Sequence, residues 1–117
     1  MTKPLRTYKQ FDIVAIPFPF SDKLEQKKRP ALVLSVSKFN SSSKHLVTAM
    51  ITSAKHSSWP LDTMIKNTEE AGLSASCLIR MKFFTVDKSL VLKTVGNLSR
   101  DDLKNFRKNF KQLFSGI

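Results

Sequence analysis

Two short stretches of the sequence carry side chains suited to phosphate chemistry: Arg29, directly before Pro30, and the adjacent hydroxyls of Thr52 and Ser53. Proline fixes its own φ and holds the preceding residue in extended geometry, so the guanidinium of Arg29 starts from a fixed backbone position. A guanidinium is always charged and forks onto phosphate oxygens. It can also stabilise charge that develops on a phosphate in a transition state. Taken alone, the dipeptide favours an arginine that only closes a hairpin.

The strands around these residues decide whether they meet. Residues 30–37 and 45–53 are predicted to be consecutive strands, and the second is rich in β-branched residues. If they pair antiparallel, the end of one strand lies beside the start of the other. Arg29 would then share one rim with Thr52 and Ser53. Two hydroxyl donors and a cation facing one point would form a phosphate site.

The remaining pattern predicts a fold dominated by short strands. Residues 11–20 are apolar at both odd and even positions, which indicates a strand buried on both faces, as in a small closed barrel. Pro17 and Pro19 lack backbone donors, so the end of this strand must be an edge or a loop. Further strands are predicted at 61–65, 77–86 and 91–98. Loops or turns are predicted at 21–28, 39–44, 54–60 and 67–73, and a capped helical turn at 87–90.

The C-terminal segment changes to helical periodicity. Ser99 and Asp102 have the spacing of a capping box. An apolar stripe follows at helical spacing, made of Leu103, Phe106, Phe110, Leu113 and Phe114. Gly116 is a plausible stop. Many short strands followed by one amphipathic helix predict a mainly β, SH3-like barrel, and the length predicts that residues 1–117 form a single domain.

Charge is the strongest feature of the composition. Twenty Lys and Arg stand against nine Asp and Glu, a formal net charge of +11, and the cations are scattered along the chain. Such an excess favours a polyanionic partner, either nucleic acid or an acidic protein, although it also keeps a small domain soluble. No apolar segment follows the N-terminal cations, and no apolar run is long enough to span a bilayer. With Cys77 as the single cysteine, we expect a cytoplasmic protein without a membrane segment.

Motifs of metal and cofactor enzymes are absent from the sequence. There is no HExxH, no CxxC pair and no P-loop, and carboxylates are scarce, so we expect neither metal nor cofactor. RNA supplies its own 2′-OH nucleophile, so its cleavage requires only orientation, proton transfer and charge stabilisation. His45 and His56 fit either an acid–base role at a barrel rim or plain exposure. Trp59, between serines and a proline, fits core packing and stacking on an unpaired base equally well.

Three blocks, "FDIVAIPFPFSDKLEQKKRPALVLS", "MITS" and "FFTVDKSLVLKTVGNLS", occur in the order seen in the MazF/PemK toxin family. The resemblance runs from about Phe11 to the end of the chain. It implies a toxin of a type II toxin–antitoxin pair with an SH3-like barrel and a homodimer. It implies a metal-independent endoribonuclease that cuts single-stranded RNA at short sequences and leaves 2′,3′-cyclic phosphate and 5′-OH ends. It also implies an antitoxin whose extended acidic tail occupies the RNA groove.

The resemblance assigns the catalytic roles residue by residue. The family's arginine before proline corresponds to Arg29, and its threonine corresponds to Thr52, with Ser53 beside it. A glutamate that many members carry in the preceding loop matches Glu25 loosely, because the spacing is shorter by one. Phe11 stands where a glycine usually precedes the "DIV" block.

The general base is left open by the resemblance. Well-studied members carry an acidic residue in the strand that reads "CLIRMKFFT" here, and Met81 stands in that place. His56, Glu25 or Asp12 could replace the acid. The side chains expected to bind RNA are Lys27, Lys28, Trp59, Arg80 and Lys82.

Two alternatives share the same fold: a binding-only toxin such as a gyrase poison of the CcdB type, and a family member that has lost catalysis. A poison acts through its partner surface, often the C-terminal helix, and needs no arginine at the rim. Arg29 together with Thr52 therefore favours the nuclease.

The net charge predicts salt-sensitive binding to single-stranded RNA. Each phosphate contact releases condensed counterions, so a fourfold rise in salt should weaken binding about fiftyfold if about four phosphates are contacted. Fluorescence anisotropy of a labelled RNA over a salt series measures this slope. A flat response would show that the basic surface does not meet the RNA backbone.

Overall fold

One curled antiparallel sheet and three helices make up the described part of the chain, which comprises residues 7–18, 27–55 and 58–117 of a computed structural model. The strands are β1 (Asp12–Phe18), β2 (Lys27–Val33), β3 (His45–Ser53), β4 (Thr63–Met64), β5 (Cys77–Asp87) and β6 (Lys93–Asn97). The helices are α1 (Ser37–Ser42), α2 (Thr68–Ala71) and α3 (Arg100–Leu113), with one 3-10 turn at Lys88–Leu90. The spatial strand order is β4–β5–β3–β2–β1–β6, and the sheet forms a half-barrel. The predicted mainly β fold with a C-terminal helix is confirmed.

Both faces of the sheet are apolar, as the sequence of the first strand predicts. One face, which we call the helix face, packs against α3 through a buried cluster. The strand residues of this cluster are Ile13, Leu32, Ala49, Ile51 and Ile79. The opposite face, which we call the far face, carries a second buried cluster with Val14, Ile16, Ala31, Val33, Leu46 and Val86. Each strand therefore contributes alternate residues to two apolar layers.

Helix α3 is held to the sheet by an apolar stripe and to the segment between β4 and α2 by one buried carboxylate. Phe106 is buried, whereas Leu113 and Phe114 are exposed at the end of the stripe. Ser99 caps the helix, because its hydroxyl accepts the backbone N–H of Asp102 at 3.2 Å. The side chain of Asp102 does not complete a capping box with Ser99. The fully buried carboxylate of Asp102 instead accepts the backbone N–H groups of Lys66 and Asn67, at 3.0 and 2.9 Å.

Two predicted turns contain short helices. The predicted turn 39–44 overlaps α1, and Asn40 anchors it from a buried position by donating to the carbonyls of Tyr8 and Ser35, both at 2.9 Å. The predicted turn 67–73 contains α2, which Asn67 caps by accepting the N–H of Glu70. Both segments are polar, which is typical of loops. Their helices are stabilised by bonds to distant residues, Tyr8 for α1 and Asp102 for the residue that caps α2. The 3-10 turn at Lys88–Leu90 confirms the predicted helical turn.

Strand β2 begins earlier and ends earlier than predicted. It starts at Lys27 and ends at Val33, so Lys27 and Lys28 belong to the sheet and not to the predicted hairpin loop. Pro17 lies opposite Lys28 within β1. The rest of the predicted hairpin loop, residues 21–26, and Pro19 lie outside the described residues.

Phe11 has a left-handed backbone, with φ of +74°. Its N–H donates to the carbonyl of Val33 at 2.7 Å, and its carbonyl accepts the N–H of Leu98 at 3.0 Å. These two backbone bonds to adjacent segments fix the conformation of Phe11. Glycine adopts it without strain, which explains why a glycine suits this position. The ring of Phe11 packs against the helix-face cluster, and the guanidinium carbon of Arg107 lies 5.5 Å from its centre. Among the described residues, no helix combines the length and apolar composition needed to cross a bilayer.

We predict that Asp102→Ala lowers the free energy of unfolding by about 3 kcal/mol, because two backbone donors lose a charged acceptor. Asp101→Ala is the matched control. Asp101 lies exposed in the same helical turn, so its loss should cost about 0.5 kcal/mol through the helix dipole alone. Urea titration measures both. Equal losses would show that Asp102 acts only through the dipole.

Candidate functional site

The register of the central strands places Arg29 and Thr52 on the same face of the sheet. Strands β2 and β3 pair antiparallel, as predicted, with Ala31 opposite Met50. The paired residues end at Ala31 and Met50, and continuing this register by two residues would set Arg29 opposite Thr52. Opposite residues share a face and have Cβ atoms about 5 Å apart. Arg29 also lies opposite Ile16 of the far-face cluster, so Arg29 and Thr52 project from the far face.

Arg29 has an unsatisfied donor. Its Nε is buried and has no hydrogen-bond partner within the described ranges. The nearest aromatic ring is that of Phe18, whose centroid lies 5.9 Å from the guanidinium carbon. A buried polar nitrogen without an acceptor costs free energy, and the cost is larger for a charged group. An anionic oxygen would satisfy this donor, and a phosphate offers several.

Only one of the two adjacent hydroxyls can face Arg29. Thr52 is buried on the far face, opposite Leu78. Ser53 is the next residue of the same strand and lies opposite Cys77, so its side chain projects from the helix face. Its Oγ accepts the backbone N–H of Lys55 at 3.3 Å. The expectation that both hydroxyls face the same point as Arg29 is therefore wrong for Ser53.

The candidates for a general base are spread along the chain. Glu25 and His56 lie outside the described residues. Asp12 begins β1, where its carboxylate accepts the N–H of Lys9 at 2.9 Å. It lies four residues, about 13 Å, from Ile16, the partner of Arg29. The structure thus does not bring Asp12 to Arg29.

Met81 packs against the helix-face cluster, so its side chain faces away from Arg29 and Thr52. Arg80 and Lys82, on either side of it in β5, project from the far face. Within the ranges described, no three His, Cys, Asp or Glu side chains lie close enough to hold a metal ion.

Arg80 is committed to an ion pair. Its Nη2 donates to Oδ2 of Asp62 at 3.1 Å, and its Nε donates to Oδ1 at 3.3 Å. Both side chains are nearly buried, with exposed fractions of 9% for Arg80 and 12% for Asp62. Arg80 therefore contributes to the wall of the site and holds Asp62 in place. Sequence reasoning missed Asp62, whose only signal was its position directly after the Pro60-Leu61 turn.

Trp59 lies beside these cations. Its side chain is 42% exposed, the guanidinium carbon of Arg80 lies 5.3 Å from its ring centroid, and the ammonium of Lys82 lies 5.9 Å away. Both distances are within the range of cation–π attraction. Lys82 is exposed, in contrast to Arg80.

The two lysines before Arg29 project from opposite faces. Lys27 and Lys28 are both exposed at the start of β2. Because alternate residues share a face, Lys27 accompanies Arg29 on the far face and Lys28 does not. We call the far-face group the basic face, and it consists of Lys27, Arg29, Thr52, Arg80 and Lys82, with Trp59 at its side.

The structure is a small, mainly β protein: a half-barrel with a C-terminal helix and a basic face. Sequence comparison identifies its family. Residues 9–114 match the PemK-like, MazF-like toxin of type II toxin–antitoxin systems. The chain therefore belongs to this family, as the sequence blocks indicated. A search of curated proteins found no match.

Solved structures share the fold over nearly the whole chain. A MazE–MazF complex from Deinococcus radiodurans superposes with a TM-score of 0.76 at 17% identity, covering 96% of this chain and 99% of that one. The Mycobacterium tuberculosis toxin MazF-mt6 gives a TM-score of 0.70 at 15% identity, over 88% and 95% of the two chains. A mycobacterial endoribonuclease in complex with its cognate antitoxin gives 0.70 at 10% identity, over 92% and 93%. At these identities the likeness establishes the fold.

Proposed function

We propose that this toxin is a metal-independent, sequence-specific endoribonuclease that cleaves single-stranded RNA. The observation that carries the proposal is the unsatisfied Nε of Arg29, on the face that also presents Thr52. Family membership and the net charge of +11 support it independently. A half-buried guanidinium whose Nε has no acceptor among the described residues, on the same face as a hydroxyl, suits a phosphate whose charge rises during reaction.

In the proposed reaction the RNA supplies the nucleophile. A general base takes the proton of the 2′-OH, and the 2′-oxygen bonds to the adjacent phosphorus. The bond from phosphorus to the 5′-oxygen breaks, and a general acid gives the leaving 5′-oxygen its proton. The products are a 2′,3′-cyclic phosphate and a 5′-OH end. Arg29 stabilises the charge on the non-bridging oxygens, and the hydroxyl of Thr52 donates to one of them.

We assign the proton transfers by elimination among the three candidates that the sequence offered. Asp12 is too far from Arg29 along β1 to act on the same phosphate. Of the three candidates, this leaves Glu25, in the segment before β2, and His56, shortly after β3.

The proposed regulator is an antitoxin with an extended acidic tail. The Deinococcus structure is a complex of MazE with MazF, and the mycobacterial endoribonuclease is bound to its cognate antitoxin, which supports the same kind of partner for this chain. We propose that two copies of the toxin form the RNA groove. Because one positive surface attracts both polyanions, RNA and the acidic tail would compete for the basic face.

Arg29→Ala should reduce RNA cleavage by at least about 10²-fold, the loss seen when a transition-state donor is removed. The assay incubates purified protein with a long RNA in the presence of EDTA and identifies cyclic phosphate at the new ends. Arg100→Ala, which removes the same charge from an exposed position in α3, should stay close to wild type. Intact RNA with the wild-type protein, together with trapped gyrase–DNA complexes, would instead favour a binding-only toxin.

Thr52→Val should reduce the cleavage rate about tenfold, because the variant keeps the shape and removes one neutral hydrogen bond. Ser53→Ala should change the rate less than about twofold, since this hydroxyl projects from the helix face. Single-turnover kinetics on one RNA compares the two variants. If Ser53→Ala were as damaging as Thr52→Val, the assignment of faces at the end of β3 would be wrong.

A further inference from the structure

Residues 59–62 form a strained turn. The N–H of Asp62 donates to the carbonyl of Trp59 at 3.3 Å, and Leu61 has φ of +64°. Proline at the second position and positive φ at the third are the marks of a type II turn, which normally has glycine or asparagine at the third position. A leucine there is costly and persists only where the surroundings enforce the conformation. Such strain commonly accompanies a side chain that must be held in one place.

The carboxylate of Asp62 enforces the turn. Its Oδ2 accepts the backbone N–H of Trp59 at 2.8 Å as well as Nη2 of Arg80, while Oδ1 accepts Nε of Arg80. The nearly buried ion pair of Asp62 with Arg80 of β5 therefore fixes the backbone on both sides of the turn. A second tie comes from α3, where Nδ2 of Asn109 donates to Oγ1 of Thr63 at 2.8 Å.

The turn presents an indole that is fixed but not buried. Trp59 is 42% exposed although its backbone is bonded twice to Asp62. Lys82 and Arg80 lie against its ring, and Lys82 is exposed. Flat aromatic area next to an exposed ammonium matches a ligand that joins a planar π-system to an anion. A nucleotide has this combination, whereas an acidic peptide side chain offers only the anion.

The turn also lies close to the proposed phosphate site. Arg80 is two residues, about 7 Å, along β5 from Leu78, which is directly opposite Thr52. A base stacked on Trp59 would thus belong to a nucleotide next to the phosphate held by Arg29 and Thr52.

We propose that Trp59 is a stacking platform for one unpaired nucleobase of the RNA, and that Asp62 is its positioning residue, acting through Arg80. This inference rests on the proposed function and adds a base subsite to it. Stacking fixes which nucleotide is placed beside the scissile phosphate, so the platform contributes to substrate placement and not to the chemical step.

Trp59 is the only tryptophan of the chain, so its fluorescence reports directly on the proposed platform. The probe is a set of short 2′-O-methyl oligonucleotides, which lack the free 2′-OH and cannot be cleaved by the proposed reaction. We expect them to quench the emission strongly at saturation. Inorganic polyphosphate, the control with charge but no bases, should bind without comparable quenching. Equal quenching by both, or by polyglutamate but not by the oligonucleotides, would overturn the proposal.

Variants separate stacking from general surface effects. Trp59→Ala should weaken oligonucleotide binding roughly tenfold and leave polyphosphate binding within about twofold, the expectation for loss of one base–aromatic stack. Trp59→Phe should recover part of the affinity. Phe39→Ala is the matched control, because Phe39 is also 42% exposed but lies on α1. An effect of Phe39→Ala as large as that of Trp59→Ala would overturn the proposal.

Asp62→Asn tests the positioning role. It keeps the shape but weakens the bond to Arg80, so the indole should become more accessible to acrylamide and the oligonucleotide affinity should fall several-fold. Asp62→Glu should restore part of both. In cleavage assays the effect should appear in KM more than in kcat. Unchanged acrylamide access in a folded Asp62→Asn variant would contradict the role. Quenching of the wild type by uncleavable RNA does not depend on catalysis, so the subsite can hold even if no cleavage is found.

Discussion

The register of β2 between β1 and β3 is the constraint on which the rest of the structure depends. Leu32 must face α3 and Ala31 must face the opposite cluster, because both layers of the sheet are buried. A shift of one residue would exchange the two faces and expose an entire apolar set, so the register is strongly specified. The same register places Arg29 and Thr52 on one face of the sheet. The candidate site is therefore a by-product of core packing, and no separate device is required to assemble it.

Two arginines of the basic face, the buried Arg80 and the half-buried Arg29, differ in their partners. Arg80 donates two hydrogen bonds to Asp62, and these bonds offset part of the desolvation cost of the pair. The same carboxylate fixes the turn at Trp59. Arg29 has a donor with no acceptor in the described part of the chain. A protein tolerates such a donor when a ligand completes it. The contrast between a satisfied and an unsatisfied arginine distinguishes the residue that builds the wall from the one suited to bind an anion.

Local patterns predicted most of the fold and half of the site geometry. The alternation of apolar residues indicated the strands, the 3.6-residue period indicated α3, and antiparallel pairing placed Arg29 and Thr52 on one face. Because successive residues of a strand project from opposite faces, the sequence also predicts that Ser53 and Thr52 lie on different faces. What the sequence could not show depended on long-range partners: Asn40 turns a polar segment into α1 by bonding Tyr8, 32 residues away. Asp62 likewise gains its role from Arg80, 18 residues away, and no local pattern connects the two.

The absence of an acid at Met81 has a structural explanation that does not require loss of catalysis. Met81 belongs to the residues packed on the helix-face cluster, next to the core and away from Arg29. A carboxylate there would lie partly buried against apolar side chains, which disfavours its charged form. An acid from β5 that acts beside Arg29 must project from the far face, where Arg80 and Lys82 stand. In this chain the carboxylate next to those positions comes from Asp62, on a different element, and its bond to Arg80 gives it a structural task. The carboxylate beside the basic face thus holds both Arg80 and the backbone of the turn at Trp59.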